Sequence, residues 1–137
     1  MAKNAAILFI VGVCIFIFYS SADRAAEIVL EPNENGIDLS TTIPGDWDRL
    51  CILFPYTTNL RAKQVLGVAV NVESKSDISW SDSIALFVTT KASKVENLFD
   101  VSRKNIDFTK LGGQCFARED TRFTLPQKGH HFAVHSQ

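Results

Sequence analysis

Residues 50–54 are the run that most constrains how this chain folds. All five side chains are apolar, so an extended segment would carry apolar residues on both of its alternating faces. A strand of this kind is buried on both sides and belongs in the interior of a sheet. Pro44-Gly45 forms a turn before it, and Pro55 ends it because proline donates no ladder hydrogen bond. The run predicts an interior strand around which the domain assembles.

The rest of the chain predicts an α+β fold with a mainly antiparallel sheet. One short helix follows the central strand at residues 60–66, with N-capping side chains at 57–59 and Gly67 after its last turn. An apolar signal or anchor helix precedes the body at the N-terminus. Further strands are predicted at 84–90 and 95–101, which form a hairpin, and at 114–118 and 122–125.

The chain divides by composition into four segments. A body of about 110 residues buries roughly two-thirds of its unfolded surface, which suffices for one core. The segments are 1–22, a signal peptide or membrane anchor; 23–46, a spacer; 47–126, a single α+β domain; and 127–137, a flexible tail.

The N-terminal segment predicts export. Lys3 precedes an apolar run at residues 5–19, and small residues surround a cleavage point after Ala22, as in a secretory signal. The rival interpretation is an uncleaved transmembrane anchor, because a helix that ends at Ala22 reaches roughly 28 Å, close to the ~30 Å hydrocarbon core. Both place the body outside the cytoplasm, either anchored in the inner membrane or periplasmic or secreted, since Lys3 stays inside.

Cys14 suggests a third interpretation, lipid attachment. A lipoprotein signal needs a small residue directly before the cysteine, and Val13 stands there instead. Cleavage at this point would also cut the apolar run short. The sequence therefore disfavours lipidation.

Residues 47–67 resemble a pattern in small exported or lipid-anchored bacterial proteins that have no characterised activity. The pattern consists of Trp47-Asp48-Arg49, apolar residues, Phe54-Pro55-Tyr56-Thr57 and a short helix that ends at Leu66-Gly67. The resemblance implies a domain of the bacterial envelope and contributes no catalytic residue. This chain departs from the pattern by placing Cys51 inside the strand.

Cys51 and Cys115 form a candidate disulfide. An oxidising compartment favours a bridge, provided that their strands lie side by side. The alternative is two inert buried thiols, because free cysteine is a common core residue. Their spacing excludes a C-x-x-C redox or zinc motif.

His130, His131 and His135 are the histidines of the chain, and all of them fall in the predicted tail. As a strand, His131 and His135 would lie about 13 Å apart, too far for one metal ion. We therefore predict no metal site and no cofactor. A histidine-based catalytic triad also has no candidate in the body of the domain.

Four residues near the predicted strand are candidate ligand-binding residues: Asp46, Asp48, Arg49 and Tyr56. Local structural roles are the alternative for each of them. No nucleophile elbow, zinc-protease motif or phosphate-binding loop occurs. The sequence predicts a non-enzymatic binding or interaction module with an envelope protein or cell-wall component as partner. The alternative is a small-ligand binder or enzyme with its site near Asp48 and Tyr56.

The charge distribution excludes a nucleic-acid partner. The chain has 14 basic and 15 acidic side chains, and removing residues 1–22 takes away only Lys3, which leaves 13 against 15, a net charge of −2. The two signs are interspersed, whereas nucleic-acid binding needs clustered Lys and Arg.

Overall fold

The computed structural model describes residues 24–126 and 131–137, which form an α+β fold. The strands within these ranges are Ala26–Ile28 (β1), Ile37–Asp38 (β2), Arg49–Leu53 (β3), Ile84–Lys91 (β4), Lys94–Ser102 (β5), Gln114–Ala117 (β6), Arg122–Thr124 (β7) and Val134–His135 (β8). The α-helices are Leu39–Thr42 (α1), Asn59–Leu66 (α2) and Val72–Lys75 (α3), and single 3₁₀ turns cover Thr109–Leu111 and Arg118–Asp120.

The larger sheet is mainly antiparallel, and β3 lies in its interior. The described strands follow the order β1-β5-β4-β3-β6, and only the β1–β5 pair among them is parallel. The middle position belongs to β4, whereas β3 is held between β4 and β6. The strand also ends at Leu53, one residue before the end of the apolar run, because the chain turns at Phe54 and the Thr57 hydroxyl donates to the Phe54 carbonyl.

Each face of β3 enters a different core. Leu50 and Ile52 belong to an aromatic core that also contains Trp47, Phe87 and Phe108. The alternate residues of the strand face the other way, into a helix-side core beneath α2 and α3. Because period-2 alternation sends successive side chains to opposite faces, an all-apolar strand serves both cores at once.

The helix α2 begins and ends at the predicted signals. The Thr58 hydroxyl accepts a hydrogen bond from the Arg61 amide, and Gly67 takes the left-handed conformation at φ 79°. Ala62 and Leu66, four residues apart, are both buried in the helix-side core. α1 and α3 are additional short helices, so the prediction of one helix was incomplete; in α3 the Asn71 side chain accepts from the Ser74 amide.

Residues 24–46, the described part of the spacer predicted for 23–46, pack into the body. β1 pairs in parallel with β5, and β2 pairs with β7 in a small sheet of order β2-β7-β8. Leu39 and Ile43 are completely buried in the aromatic core. These short elements depend on tertiary partners, which is why local sequence did not reveal them.

The end of the chain also differs from the flexible tail predicted for 127–137. β8 pairs with β7, the Ser136 amide donates to the Arg122 carbonyl at 2.9 Å, and Ala133 is buried. Residues 131–137 therefore belong to the folded body, whereas 127–130 lie outside the described residues.

The described helices include none that is both long and apolar enough to cross a membrane. The predicted signal or anchor helix at 1–22 falls outside the described residues.

Gly36 is a position where we expect a small substitution to have a large effect. Its φ is +100°, and an added Cβ would collide with the Phe123 carbonyl on β7. Gly67 has a similar φ of +79° but open space around it, so it is a matched control. We expect Gly67→Ala to cost about 1 kcal/mol, from backbone strain alone, and Gly36→Ala about 2–3 kcal/mol. Urea unfolding measures both; equal losses would contradict the close packing of β2 on β7.

Candidate functional site

The four sequence candidates do not form one site. Asp46, Asp48 and Arg49 precede or begin β3, whereas Tyr56 follows its far end. A five-residue strand spans roughly 16 Å, so side chains at its two ends cannot hold one small ligand. The sequence alone predicts both groups at the same end of the strand.

Local interactions account for the two aspartates. Asp46 is exposed and pairs with Lys91 at 2.9 Å; the hydrogen bond from Lys91, followed by its positive charge, lowers the pKa of this carboxyl. Asp48 accepts a hydrogen bond from the Ala92 amide at 3.0 Å, which attaches the residue before β3 to the turn between β4 and β5. Both side chains thus contact the β4–β5 hairpin.

Arg49 and Tyr56 also take separate positions. The Arg49 guanidinium donates to the carbonyls of Val65 and Leu66 at 3.4 and 3.3 Å, so it satisfies the C-terminal end of α2 and complements the helix dipole. Tyr56 is 59% exposed and has a positive φ of 67°. Its amide donates to the Ile78 carbonyl at 2.6 Å, which ties it to the loop before β4.

Cys51 and Cys115 lie directly opposite each other on β3 and β6 and are joined by a disulfide in the structure. The Arg118 amide donates to the Asp48 carbonyl, which sets the pairing register. Hydrogen-bonded and non-hydrogen-bonded pairs alternate along an antiparallel ladder, and Cys51 and Cys115 lie three positions along from this hydrogen-bonded pair. They therefore form a non-hydrogen-bonded pair, where opposite strands approach most closely. Their Cα atoms are 4.0 Å apart.

The described histidines have structural surroundings. The His135 Nε2 atom lies 2.8 Å from the Asp120 carbonyl, and its ring packs against Phe116 with centroids 4.7 Å apart. His131 is exposed, and His130 lies outside the described residues. Among the residues that the structure describes, no group of three or more His, Cys, Asp or Glu side chains is arranged to hold a metal ion.

A charged cleft that the sequence did not reveal lies between the ends of β1 and β5 and the loop before β4. We call it the Asp100 cleft; its volume is about 510 Å³. The side chains of alternate β1 and β5 residues form its floor, on the same face of the sheet as the helix-side core. Its charged lining residues are Glu27, Asp82, Asp100, Arg103, Lys104 and Asp107.

Asp100 is the unusual group in this cleft. It is only 7% exposed, its Oδ1 atom accepts from the Ser76 hydroxyl, and Oδ2 has no donor among the described residues. No described Lys or Arg forms an ion pair with it. The register places Glu27 beside it on β1, so two carboxylates share one face. Burial raises the pKa of Asp100, partly offset by the Ser76 hydrogen bond.

Asp107 lines the same cleft in a different electrostatic setting. Arg103 Nη2 lies 2.8 Å from its Oδ2 atom, and the Thr109 amide donates to Oδ1 at 2.9 Å. Burial alone would raise the pKa of Asp107, but the hydrogen bonds from Arg103 and Thr109 outweigh it and lower the pKa overall. Arg103 also donates to the Asp82 carbonyl, so this arginine holds two walls of the cleft together.

One sequence signal could have identified Asp100. It stands between Phe99 and Val101 in a predicted strand, at a position where a carboxylate must be paired, exposed or functional. Its neighbour Glu27, in contrast, could not have been identified, because the parallel β1–β5 pairing has no local signature.

Comparisons of the chain with protein-family models, with curated proteins and with solved structures gave no significant match. The resemblance of residues 47–67 to small exported bacterial proteins therefore stays a prediction.

Proposed function

We propose that this protein is a non-enzymatic binding module that acts outside the cytoplasm and takes a positively charged group of its partner into the Asp100 cleft. The partner is an envelope protein or a cell-wall component. The observation that carries this proposal is Asp100, a buried carboxylate that lines the cleft and forms no ion pair with any described Lys or Arg. Such an arrangement disfavours the folded state, so a binding role is a physical reason for it.

The charge of the cleft supports a cationic ligand. Asp107 and Arg103 form an ion pair and nearly cancel each other. The remaining charged lining residues are three carboxylates against one lysine: Glu27, Asp82 and Asp100 against Lys104. A lysine, arginine or amino group would therefore find both a favourable potential and, at Asp100 Oδ2, an acceptor that no described donor occupies.

The same contacts support binding more than catalysis. Both oxygens of Asp107 already accept hydrogen bonds, so it is not free to act as a base. The Ser76 hydroxyl donates to Asp100 and accepts from the Ile78 amide, which occupies it structurally. A nucleophilic serine would instead need a neighbouring base that removes its proton.

Two observations support a location outside the cytoplasm. The apolar run at 5–19 has the composition of an export signal or anchor. The disulfide between Cys51 and Cys115 suits an oxidising compartment, because cytosolic reductants keep such thiols reduced.

Asp100→Asn tests whether this carboxylate is kept at the expense of stability. Because burial raises its pKa, the folded state binds this proton more tightly than the unfolded chain does. At a pH above its folded pKa, Asp100 is ionised and lowers the free energy of unfolding. This loss is recovered as pH falls toward about 3.9, the pKa of an aspartate in the unfolded chain. We expect Asp100→Asn to be more stable than wild type at pH 7, with the difference shrinking toward pH 4 in urea titrations.

Asp107→Asn is the matched control and has the opposite expected sign. Its lowered pKa contributes stability that is present above the unfolded pKa and lost as pH falls through the folded one. Removing its charge leaves Arg103 unpaired and costs about 2 kcal/mol at pH 7. A loss of stability in Asp100→Asn at pH 7 would contradict the role given to burial.

Capture experiments test the binding itself. The full chain, immobilised in detergent, is expected to retain a component of envelope fractions, and Asp100→Asn is expected to lose it while remaining folded. Asp48→Asn serves as a control carboxylate at the start of β3 and should retain capture. If Asp48→Asn loses capture and Asp100→Asn keeps it, the binding site lies at the start of β3 and not in the Asp100 cleft. No capture under several conditions would contradict a binding module.

A further inference from the structure

Two exposed aromatic side chains, Tyr56 and Trp80, lie outside the Asp100 cleft. Trp80 is 68% exposed and Tyr56 is 59% exposed, whereas the other tryptophan, Trp47, is 2% exposed. The Tyr56 amide donates to the carbonyl of Ile78, two residues before Trp80, so the loop after β3 that carries Tyr56 lies against the loop before β4 that carries Trp80. We call Tyr56 and Trp80 the aromatic face.

The first described residues dock beside this face. Arg24 pairs with Asp77 at 2.9 Å, and the Ala25 amide donates to the Lys75 carbonyl at 2.7 Å. The Trp80 amide in turn donates to the Asp77 carbonyl at 3.1 Å, which closes a tight turn. The chain therefore enters the body within one turn of Trp80.

Simple chain geometry relates the aromatic face to the apolar N-terminal segment. One residue, Asp23, separates Ala22 from Arg24, so their Cα atoms are at most about 7 Å apart. The turn from Asp77 to Trp80 keeps its ends within about 7 Å. With the Arg24–Asp77 contact between them, Trp80 lies close to the point where the chain enters the described body.

We propose that the aromatic face lies against the headgroup region of the lipid bilayer in which residues 1–22 are anchored, an inference that rests on the proposed location outside the cytoplasm and on the anchor interpretation of that segment. Trp and Tyr are enriched at membrane–water interfaces, where the ring is partly buried and the polar atom stays hydrated. The Arg24–Asp77 contact places the entry of the chain into the body beside the loop that carries Trp80. Membrane contact also accounts for two large aromatic side chains exposed on a small body.

Tryptophan fluorescence tests the orientation, because the chain has two tryptophans and Trp47 is buried. The full chain is reconstituted in phosphatidylcholine vesicles with and without bromine on the upper acyl carbons. We expect the brominated lipid to quench roughly half of the emission, the share of Trp80 as one of two tryptophans. Trp80→Phe is expected to abolish the quenching and leave only Trp47 emission.

A relocated reporter is the matched control. Val134 on β8 is 45% exposed, and β8 lies in the small sheet rather than on the loop before β4. In a Trp80→Phe background, Val134→Trp should be quenched by aqueous iodide and not by brominated lipid. Equal lipid quenching at both positions would show unspecific adhesion and overturn the proposal.

The remaining outcomes separate failure of the face from failure of the tether. An intact mass that lacks 22 residues would overturn anchoring and the membrane-facing surface together, while export and the Asp100 cleft would stand. A full-length, membrane-bound chain whose Trp80 is quenched by iodide alone would overturn the orientation and leave the tether. If Trp80 becomes protected from iodide only when envelope protein is added, the aromatic face binds a protein and not the bilayer, and the proposal is overturned.

Discussion

Replacing both Cys51 and Cys115 by alanine is expected to lower the free energy of unfolding by about 4 kcal/mol at 25 °C. The bridge joins residues 64 apart in sequence, so it removes a large amount of loop-closure entropy from the unfolded chain. A domain of this size is stabilised by roughly 5–15 kcal/mol in total, so the loss is a large fraction. Urea unfolding, followed by the fluorescence of buried Trp47, measures it.

The control for this variant is Cys14→Ser, which leaves the bridge intact and should unfold like wild type. Reduction of the wild-type protein should bring its unfolding midpoint close to that of the double alanine variant. If alkylation before any reduction labels Cys51 and Cys115 in the native exported protein, the two thiols are free and the bridge is absent from the working protein.

The parts of the fold that the sequence predicts are those with local signals. The interior position of β3 follows from five consecutive apolar residues, and the limits of α2 follow from Thr58 and Gly67. The β4–β5 hairpin follows from two apolar runs around a short turn, where Ala92 and Ser93 take positive φ values. In each case the signal lies within the segment itself or in the residues that flank it.

The parts that could not be predicted depend on pairing between distant segments. Whether Cys115 faces Cys51 depends on the register of β6 against β3, and a one-residue slip would have turned the side chains to opposite faces. The acidic pair of the Asp100 cleft depends in the same way on the parallel register of β1 and β5. β8 is only two residues long, and it is ordered by β7 and by the packing of His135 on Phe116.

Phe108 packs between the two sheets, and Phe108→Ala is expected to lower the free energy of unfolding by about 4 kcal/mol. Its ring meets Phe87 of β4 and Phe123 of β7 edge to face, with centroids 4.9 and 5.2 Å away. Truncation leaves a cavity in the aromatic core and removes both aromatic pairs. Phe108→Leu, which keeps most of the volume, should cost only about 1.5 kcal/mol.

Hydrogen exchange distinguishes a shared core from two independent sheets. The Ser136 amide donates to the Arg122 carbonyl at the β7–β8 edge, far along the chain from β4. If one core unites the sheets, this amide exchanges by global unfolding, and Phe108→Ala should speed its exchange roughly a thousand-fold, as 4 kcal/mol requires. An exchange rate that Phe108→Ala leaves unchanged would mean that β8 opens on its own. The C-terminal residues would then be an attached edge, and their burial would contribute nothing to the cooperative stability of the larger sheet.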